Sequence, residues 1–417
     1  MSDIELVNPV PVEEARPWLA AVSTALLGDP YDDDFSRRLA RWTSDWIAER
    51  TWGARSSGRW VGTLATEPRR ITVPGPDGGT GELAVDALTG VTVGVTHRRR
   101  GLLTRMITES LTAAKERGDA ASILIAAEWP IYGRFGYAPA ADDATYTYYS
   151  RHSGAAITPS GTGSVRQVDP AELGEHAHRI FAAARARRVG QVDRSELWWR
   201  RSLGLGGFER IGKTPNYYLR EGSAGPDGVL AWRTTQDFEL DGSLGAAEVV
   251  ELVAANDDAY RDLWALLSGL DVIGKIRLPD RPVDEQVRWL LPDGRALKRT
   301  YSGDQTWLRL LDVPAALSAR RYSVPGQLVI DVVGDSMGFA DGRVLLEADG
   351  AAASCTRTEA SADLRLSHRA LAASYLGGRT LRQLAIGGGV EELRAGALVR
   401  ADAMFGTGLA PWNATGF

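Results

Sequence analysis

The chain has 417 residues, 44% of them hydrophobic and 24% charged, with a net charge of -5 and a pI near 5.7. That length suits two to four domains, and the composition is that of a globular protein. The acidic balance argues against a nucleic-acid-binding protein, which carries a basic face, but leaves room for a local basic pocket.

Only four of the 48 basic residues are lysines (Lys115, Lys213, Lys275, Lys298), so arginine dominates. Cys355 is the single cysteine, so no disulfide within the chain and no cysteine-rich zinc site is expected. The opening "MSDIELVNPVPVEEARPWLAAV" carries acids and prolines early and lacks the basic and apolar regions of a secretory signal. No run of 18 apolar residues occurs, so no membrane span is expected. A cytoplasmic protein is the expectation.

"VEEARPWLAAVSTALL" has helical spacing, and "ERTWGARSSGRWVGTLATEPRRITVPG" reads as strands broken at Ser56–Gly58, with a loop at Pro74–Gly81. "ELAVDALTGVTVGV" is a strand ending at Val95. In "LLTRMITESLTAAKERG", Leu103, Met106, Ile107, Leu111 and Ala114 share one helical face and Gly118 is a C-cap. "ASILIAA" follows as a buried parallel strand. Strand, helix and strand at this spacing make a βαβ unit.

"SRHSGAAITPSGTGSV" reads as a linker. Beyond it, a helix ("PAELGEHAHRIFAAARARR"), two strands ("GVLAWRTT", "GAAEVVELVA") and another helix ("DAYRDLWALLSGL") form a second α/β segment with no phosphate-loop pattern. A third segment starts near Gln305. It has a helix starting at Pro314, strands in "GQLVIDVVGD", "GRVLLEADG" and "AAASCTRTEASADLRLS" that read as antiparallel, and helices in "HRALAASYLGG" and "RTLRQLAIGG".

"GVTHRRRGLLTRM" (Gly94–Met106) sets three arginines and a glycine between a strand and a helix. In an arginine-rich chain the plain reading is a solvated surface cluster. A nucleic-acid reading lacks a second basic cluster and stacking aromatics. A phosphate pocket gains from position: the first turn of a helix presents unpaired N–H groups and the positive end of its dipole. Gly101 lets the backbone approach a ligand, and arginine adds forked donors. The pattern is neither an NTPase loop nor a dinucleotide fingerprint.

Strand, then Arg98-Arg99-Arg100-Gly101-Leu102-Leu103, then helix is similar to the acyl-CoA pyrophosphate loop of GCN5-related N-acetyltransferases, [QR]-x-x-G-x-[GA], with Leu103 in place of a small residue. "VTHRRRGLLTRM", "IYGRFGYAPA", "TWLRLLDVPAALSARRY", "ASYLGG" and an aromatic C-terminus together resemble the enhanced intracellular survival (Eis) family of these enzymes. The matches lie in order along nearly the whole chain. The resemblance implies an α/β (α+β) architecture of two tandem GNAT-like domains, the second degenerate, and a sterol-carrier-like domain. The expected bounds are 1–153, 154–302 and 303–417. It also implies homohexamers, acetyl-CoA as cosubstrate, no metal, and a small-molecule or peptide amine as acceptor.

Residue by residue, the resemblance implies that the backbone of Val91, Thr92 and Val93 binds the pantetheine and thioester. Arg99, Arg100, Gly101, Leu102, Leu103 and Thr104 cradle the pyrophosphate, and Ala127 and Glu128 lie along the pantetheine. Tyr132 matches the family's general acid, with Tyr137 its rival in the same motif. A phenol with a reference pKa near 10 is protonated at neutral pH. The terminal carboxylate, here that of Phe417, matches the family's general base. Trp129-Pro130 stand where members of the family carry glycines, and Gly416 where some carry an acid.

The acidic stretch Asp29–Phe35 borders the acceptor pocket on this reading or is a solvated turn, and Trp42, Trp46 and Trp129 are candidates for the pocket wall. His176 and His178 sit on different helical faces and make poor joint metal ligands. The "NAT" at Asn413 matches a glycosylation sequon that a cytoplasmic protein would not use. Two other function classes compete with the enzyme: a lipid or sterol carrier, and a non-catalytic acyl-CoA-binding protein.

Overall fold

The structure is a computed structural model of the chain and describes residues 4–30, 33–205, 213–237 and 244–417. Contacts group the chain into two compact units: Met1–Ala140 with Gln305–Gly408 and Gly416–Phe417, and Ala141–Asp304 with Leu409–Thr415. The architecture is mixed α/β throughout, as expected.

The first unit begins with β1 (Ile4–Val7), α1 (Ala15–Ala25), α2 (Asp33–Ser44), β2 (Thr51–Ser56), β3 (Arg59–Pro74) and β4 (Thr80–Val93). The four strands form an antiparallel meander. The β2–β3 hairpin turns at Ser57 and Gly58, both at positive φ, the geometry that matches the strands' right-handed twist. α3 (Leu102–Glu116) then crosses to β5 (Ala121–Leu124), which pairs parallel to β4. α3 buries Leu102, Met106, Ile107, Ser110, Leu111 and Ala114. Leu102 therefore heads the buried face, where the spacing put Leu103, which is half-buried. Gly118, at φ 84, ends the helix as expected. α4 (Trp129–Tyr132) is one short turn after β5.

In the second unit come β6 (Ala138–Tyr149, which belongs to it from Ala141), α5 (Ser150–Ser153), β7 (Ser164–Val168), α6 (Pro170–Arg185), α7 (Glu196–Leu203), β8 (Asn216–Gly222), β9 (Gly225–Gln236), β10 (Gly245–Ala254), α8 (Asp257–Ser268), β11 (Ile273–Arg281) and β12 (Leu297–Leu310). Asp169, Ser195 and Asn256 each cap a helix through the side-chain oxygen, satisfying donors that a helix start leaves open. β6, β11, β10, β9, β8 and β7 lie side by side, and β10 with β11 is a parallel pair joined through α8. This repeats the β4–α3–β5 crossover. The core is built from Tyr148, Leu263, Trp264 and Ile276 on one sheet face and Leu173, Phe181, Trp199 and Leu219 on the other.

The first unit resumes with the end of β12, where Trp307–Leu310 pair antiparallel with β5. α9 (Val313–Ala319) carries Pro314 in its first turn behind an Asp312 cap, where a helix start was expected. β13 (Gly326–Val333), β14 (Gly342–Ala348), β15 (Ala353–Arg357) and β16 (Leu364–Ser367) follow, then α10 (His368–Ser374), α11 (Leu381–Ala385), β17 (Val390–Glu392) and α12 (Ala397–Phe405). The sheet order is β15-β14-β13-β16-β17. The sequence reading of this segment as antiparallel is corrected at one place. β16 runs parallel to β13, because a crossing rather than a hairpin connects β15 to β16. Arg320 is fully buried here, donating to the carbonyls of Tyr375 and of Phe405 (2.9 Å).

Candidate active site

The site is laid out by what β4 does after its pairing with β5 ends. β5 pairs with Val85–Leu88, yet β4 continues to Val93, two residues short of the expected end at Val95. Between the two lies a bulge: the β3 register slips between Thr63 and Ala65, and Gly90 sits at φ 60. A bulge re-aims the strand that carries it. A side chain at Gly90 would meet the Trp18 ring at 2.9 Å and the Trp42 ring at 3.3 Å. Trp18 is packed by Trp42 and Trp46, at 5.6 and 5.3 Å. Two of the three tryptophans singled out from the sequence thus support the bulge. Thr63 donates to the Gly90 carbonyl (2.8 Å) and its hydroxyl meets that of Thr92 (2.6 Å). Val91 and Val93 rest half-buried against the α3 core. Their side chains hold the strand, and the backbone edge beyond Leu88 extends past β5. An exposed strand edge offers alternating N–H and C=O groups to an extended, amide-bearing ligand.

A tight loop follows. Gly94 N–H donates to Val61 (2.9 Å) and His97 N–H to Gly94 (2.8 Å). Arg98, Arg99 and Arg100 are all exposed. Arg99 adopts φ 62, uncommon for a residue with a side chain. Gly101, at φ 78, is the N-cap of α3, and no side chain caps it. The first-turn N–H groups of α3, on Leu102, Leu103 and Thr104, have no partner one turn earlier in the helix. Leu102 is buried and fixes the turn to the core, while Thr104 is exposed. Left-handed and right-handed residues in succession point backbone N–H groups into one concavity that favours anions. The arginine loop therefore fits phosphate by backbone, dipole and side chain together.

Past β5, Ala127 and Glu128 are exposed, and Glu128 precedes α4 in extended backbone. Trp129, the third flagged tryptophan, is exposed and packs edge-on against Trp307 at 4.9 Å. Tyr132 is buried to 7% exposure, and its hydroxyl has no hydrogen-bond partner among the described residues. Burial, helped by the Glu128 charge, pushes its pKa up to about 12. Tyr137, edge-on to it at 6.2 Å, is fully buried and its hydroxyl meets Ser122 Oγ at 2.7 Å. The rival tyrosine is a core residue.

Three residues that the sequence did not reveal brace this turn. Arg309 donates to the Phe135 carbonyl and to Asp335 (2.7 Å), and His368 Nδ1 lies 3.6 Å from Asp335. All three are buried. Gly136 stands at φ 84, and a side chain there would strike Arg309 Nη1 and the His368 ring. Burial and the Arg309 charge lower His368 to about 4, so the ring is neutral. The one available signal was Arg309, a lone charge in the apolar run "TWLRLL".

The chain's last segment is ordered by its own contacts. Within the second unit, Arg194 donates to Thr415 Oγ1 and to the Ala414 carbonyl, both at 3.0 Å, and pairs with Glu251 at 2.8 Å. Asn413 is fully buried and accepts from Val192 N–H (3.2 Å), which gives the sequon a structural use. Phe417 follows, half-buried, and groups with the first unit. Tyr31 and Asp32 of the acidic stretch lie outside the described residues. His178 bonds the Arg194 carbonyl at 3.1 Å, a structural contact. Among the described residues no helix is long and apolar enough to cross a membrane.

A bulged strand that runs on past its parallel neighbour, followed by a glycine-started helix, is the arrangement of an acetyltransferase of the GNAT class. Residues 7–140 and 190–310 each match the description "Acetyltransferase (GNAT) domain" and residues 313–414 "Sterol carrier protein domain". The chain is similar to an N-acetyltransferase of Streptomyces griseus, 40% identical over 98% of both chains. It is also similar to N-acetyltransferase Eis of Mycobacterium tuberculosis, 33% identical over 85% of both. Among solved structures it resembles Eis1 from Mycobacterium abscessus, at 30% identity with a TM-score of 0.84, covering 99% of this chain and 100% of that one. The chain belongs to the Eis family of N-acetyltransferases. Enzymes with GNAT domains take their acetyl group from acetyl-CoA.

Proposed function

We propose that this enzyme acetylates primary amines by direct transfer from acetyl-CoA, with aminoglycoside-type antibiotics, cationic peptides, polyamines and lysine side chains as the acceptor class. The backbone of Val91–Val93 binds the pantetheine amides and the thioester carbonyl. The loop from Arg99 to Thr104 holds the pyrophosphate, and Ala127 and Glu128 border the pantetheine. A neutral amine attacks the thioester carbon and the C–S bond breaks. Tyr132 gives its phenolic proton to the departing sulfur, and the Phe417 carboxylate takes the proton from the new ammonium. Holding both reactants in line supplies much of the rate.

The observation that carries this reading is Tyr132: a buried phenol with no hydrogen-bond partner among the described residues, kept protonated far above neutral pH, on the turn that follows β5. A terminal carboxylate is a weak base in water, near 3.3–3.7, and desolvation beside an amine raises it. The same reading places the domains at 1–153, 154–302 and 303–417, in a homohexamer in the cytoplasm.

The test is release of free CoA thiol with an aminoglycoside, a polyamine and a lysine peptide, for the full chain and for chains with Tyr132→Phe or without Phe417. Acceptor-dependent release that collapses in both variants supports the assignment. Undiminished release in either removes that residue from the mechanism.

A further inference from the structure

The second unit repeats the crossover that makes the acetyl-CoA cleft in the first, and it keeps a cleft at the same topological place. β10 pairs with β11 from Gly245 to Glu248, then continues to Ala254. A cavity of about 140 Å³ opens there, comparable to the ~150 Å³ that accepts a benzene ring. Glu251, Leu252 and Val253 of β10 line it, with Arg281, Glu285 and Trp412.

This cleft is not a second acyl-CoA site. Only Ala255 and Asn256 join β10 to α8, where the first unit has the whole loop Gly94–Gly101. The first turn of α8 carries Asp257 and Asp258, which repel phosphate.

The lining is charged but matched. Arg281 pairs with Glu285 at 2.6 Å, Arg194 behind the wall with Glu251 at 2.8 Å, and Arg187 with Asp257 at 2.6 Å. Arg188 pairs with Asp284, Tyr260 hydrogen-bonds Glu285, and Arg185 donates to the Gln191 carbonyl. An incoming ion would lose its hydration without finding a free counter-charge.

On the β10 and β11 side of the cleft two polar atoms nevertheless stand open. Arg281 is 7% exposed. Its Nε donates to Glu285 and its Nη1 to the Leu252 carbonyl (3.3 Å), while Nη2 has no partner among the described residues. Glu251 uses Oε2 on Arg194, and its Oε1 has no partner among the described residues. One open donor and one open acceptor, beside the apolar walls of Leu252, Val253 and Trp412, match one small group that is both acceptor and donor without net charge.

We infer that this cleft is a binding site for a small neutral carboxamide with a ring-sized apolar body. The amide oxygen accepts from Arg281 and the amide N–H donates to Glu251, which gives a partner to one donor and one acceptor that have none among the described residues. The ring lies against Leu252, Val253 and Trp412.

The experiment titrates the full-length protein with benzamide, benzoate and benzylamine by calorimetry and maps contacts by ligand-to-protein NOEs. Ala254, half-buried on the cavity wall, is changed to Leu to fill the space. The expected result is saturable benzamide binding, at least tenfold tighter than either ion, with NOEs to the Leu252 and Val253 methyls and loss of binding in Ala254→Leu. No saturable benzamide binding, equal or tighter binding of benzoate or benzylamine, or NOEs confined to other residues overturns the proposal. If Ala254→Leu fails to fold, the NOEs of the unaltered protein decide.

Discussion

Tyr137 gives its hydroxyl to Ser122, 2.7 Å away in the core. Ser122 in turn donates to the Asp86 carbonyl at 2.8 Å. That contact separates the two tyrosines of one turn, since Tyr132 keeps an open hydroxyl. Tyr132→Phe is expected to lower kcat by about 10²–10⁴-fold, the usual worth of a placed general acid, with acetyl-CoA affinity unchanged by calorimetry. Tyr137→Phe should instead cost about 1 kcal/mol of stability and leave most turnover intact. Because burial holds Tyr132 at about 12, the alkaline limb of the rate profile should show no loss of this acid at pH 10, where an ordinary tyrosine is half ionised.

The segment that leads to the chain end is held through Ala414 and Thr415, one residue short of Gly416. Removing Phe417 alone therefore leaves every one of those contacts in place. The truncated chain should melt within a degree or two of the full one. Its turnover at saturating acetyl-CoA should fall by about 10²-fold or more if the carboxylate acts as base. Steady-state kinetics beside a thermal melt separates the two effects.

Gly101 combines positive φ with open space where a side chain would stand. Gly101→Val has room for its atoms but not the backbone freedom, since a β-branched residue is strained in the left-handed region. The loop is expected to relax away from that geometry. KM for acetyl-CoA should rise about tenfold or more, while the far-UV spectrum stays the same.

His368 gives a pH prediction with a definite sign. Folded, it titrates at about 4 against a model value of 6.5. Between those values the unfolded chain binds the proton and the folded one does not, so stability is full above pH 6.5 and is lost as the pH falls. One proton is worth about 1.4 kcal/mol per pH unit, or roughly 2 kcal/mol from pH 6.5 to 5. Asp86 and Asp143, each raised to about 6 by burial, act in the opposite direction below pH 6. Comparison with His368→Asn cancels them. Unfolding free energies of the two proteins from urea titrations should diverge by that amount across the interval, with the unaltered protein losing more.

The first βαβ unit was legible because its signals are local. α3 has helical spacing and a glycine at each end, and β5 is an unbroken apolar run. The arginine loop could be placed because it sits between those two elements. The bulge at Gly90 could not be read, since nothing local links that glycine to Trp18 some 70 residues earlier in the chain. The parallel β13–β16 pairing escaped for the same reason: strand polarity depends on which strands meet, and the intervening residues read equally well as a hairpin. Arg309 lies in β12, Asp335 in the loop after β13 and His368 in α10, and only Arg309 stands out in the sequence. Their meeting is a tertiary fact. The split between Tyr132 and Tyr137 needed the position of Ser122.

The discontinuity of the first unit has a consequence for how the protein is made. Tyr132 emerges from the ribosome early, but Arg309, which grips its turn from beneath, is encoded beyond Ala141–Asp304, the larger part of the second unit. At translation rates of about 5–20 residues per second, the turn waits on the order of ten to thirty seconds for that grip, and longer for His368. During that interval the nascent first unit displays its arginine loop while the turn that carries Tyr132 is unsupported. A gene fragment ending before β12 would reproduce that unfinished state permanently.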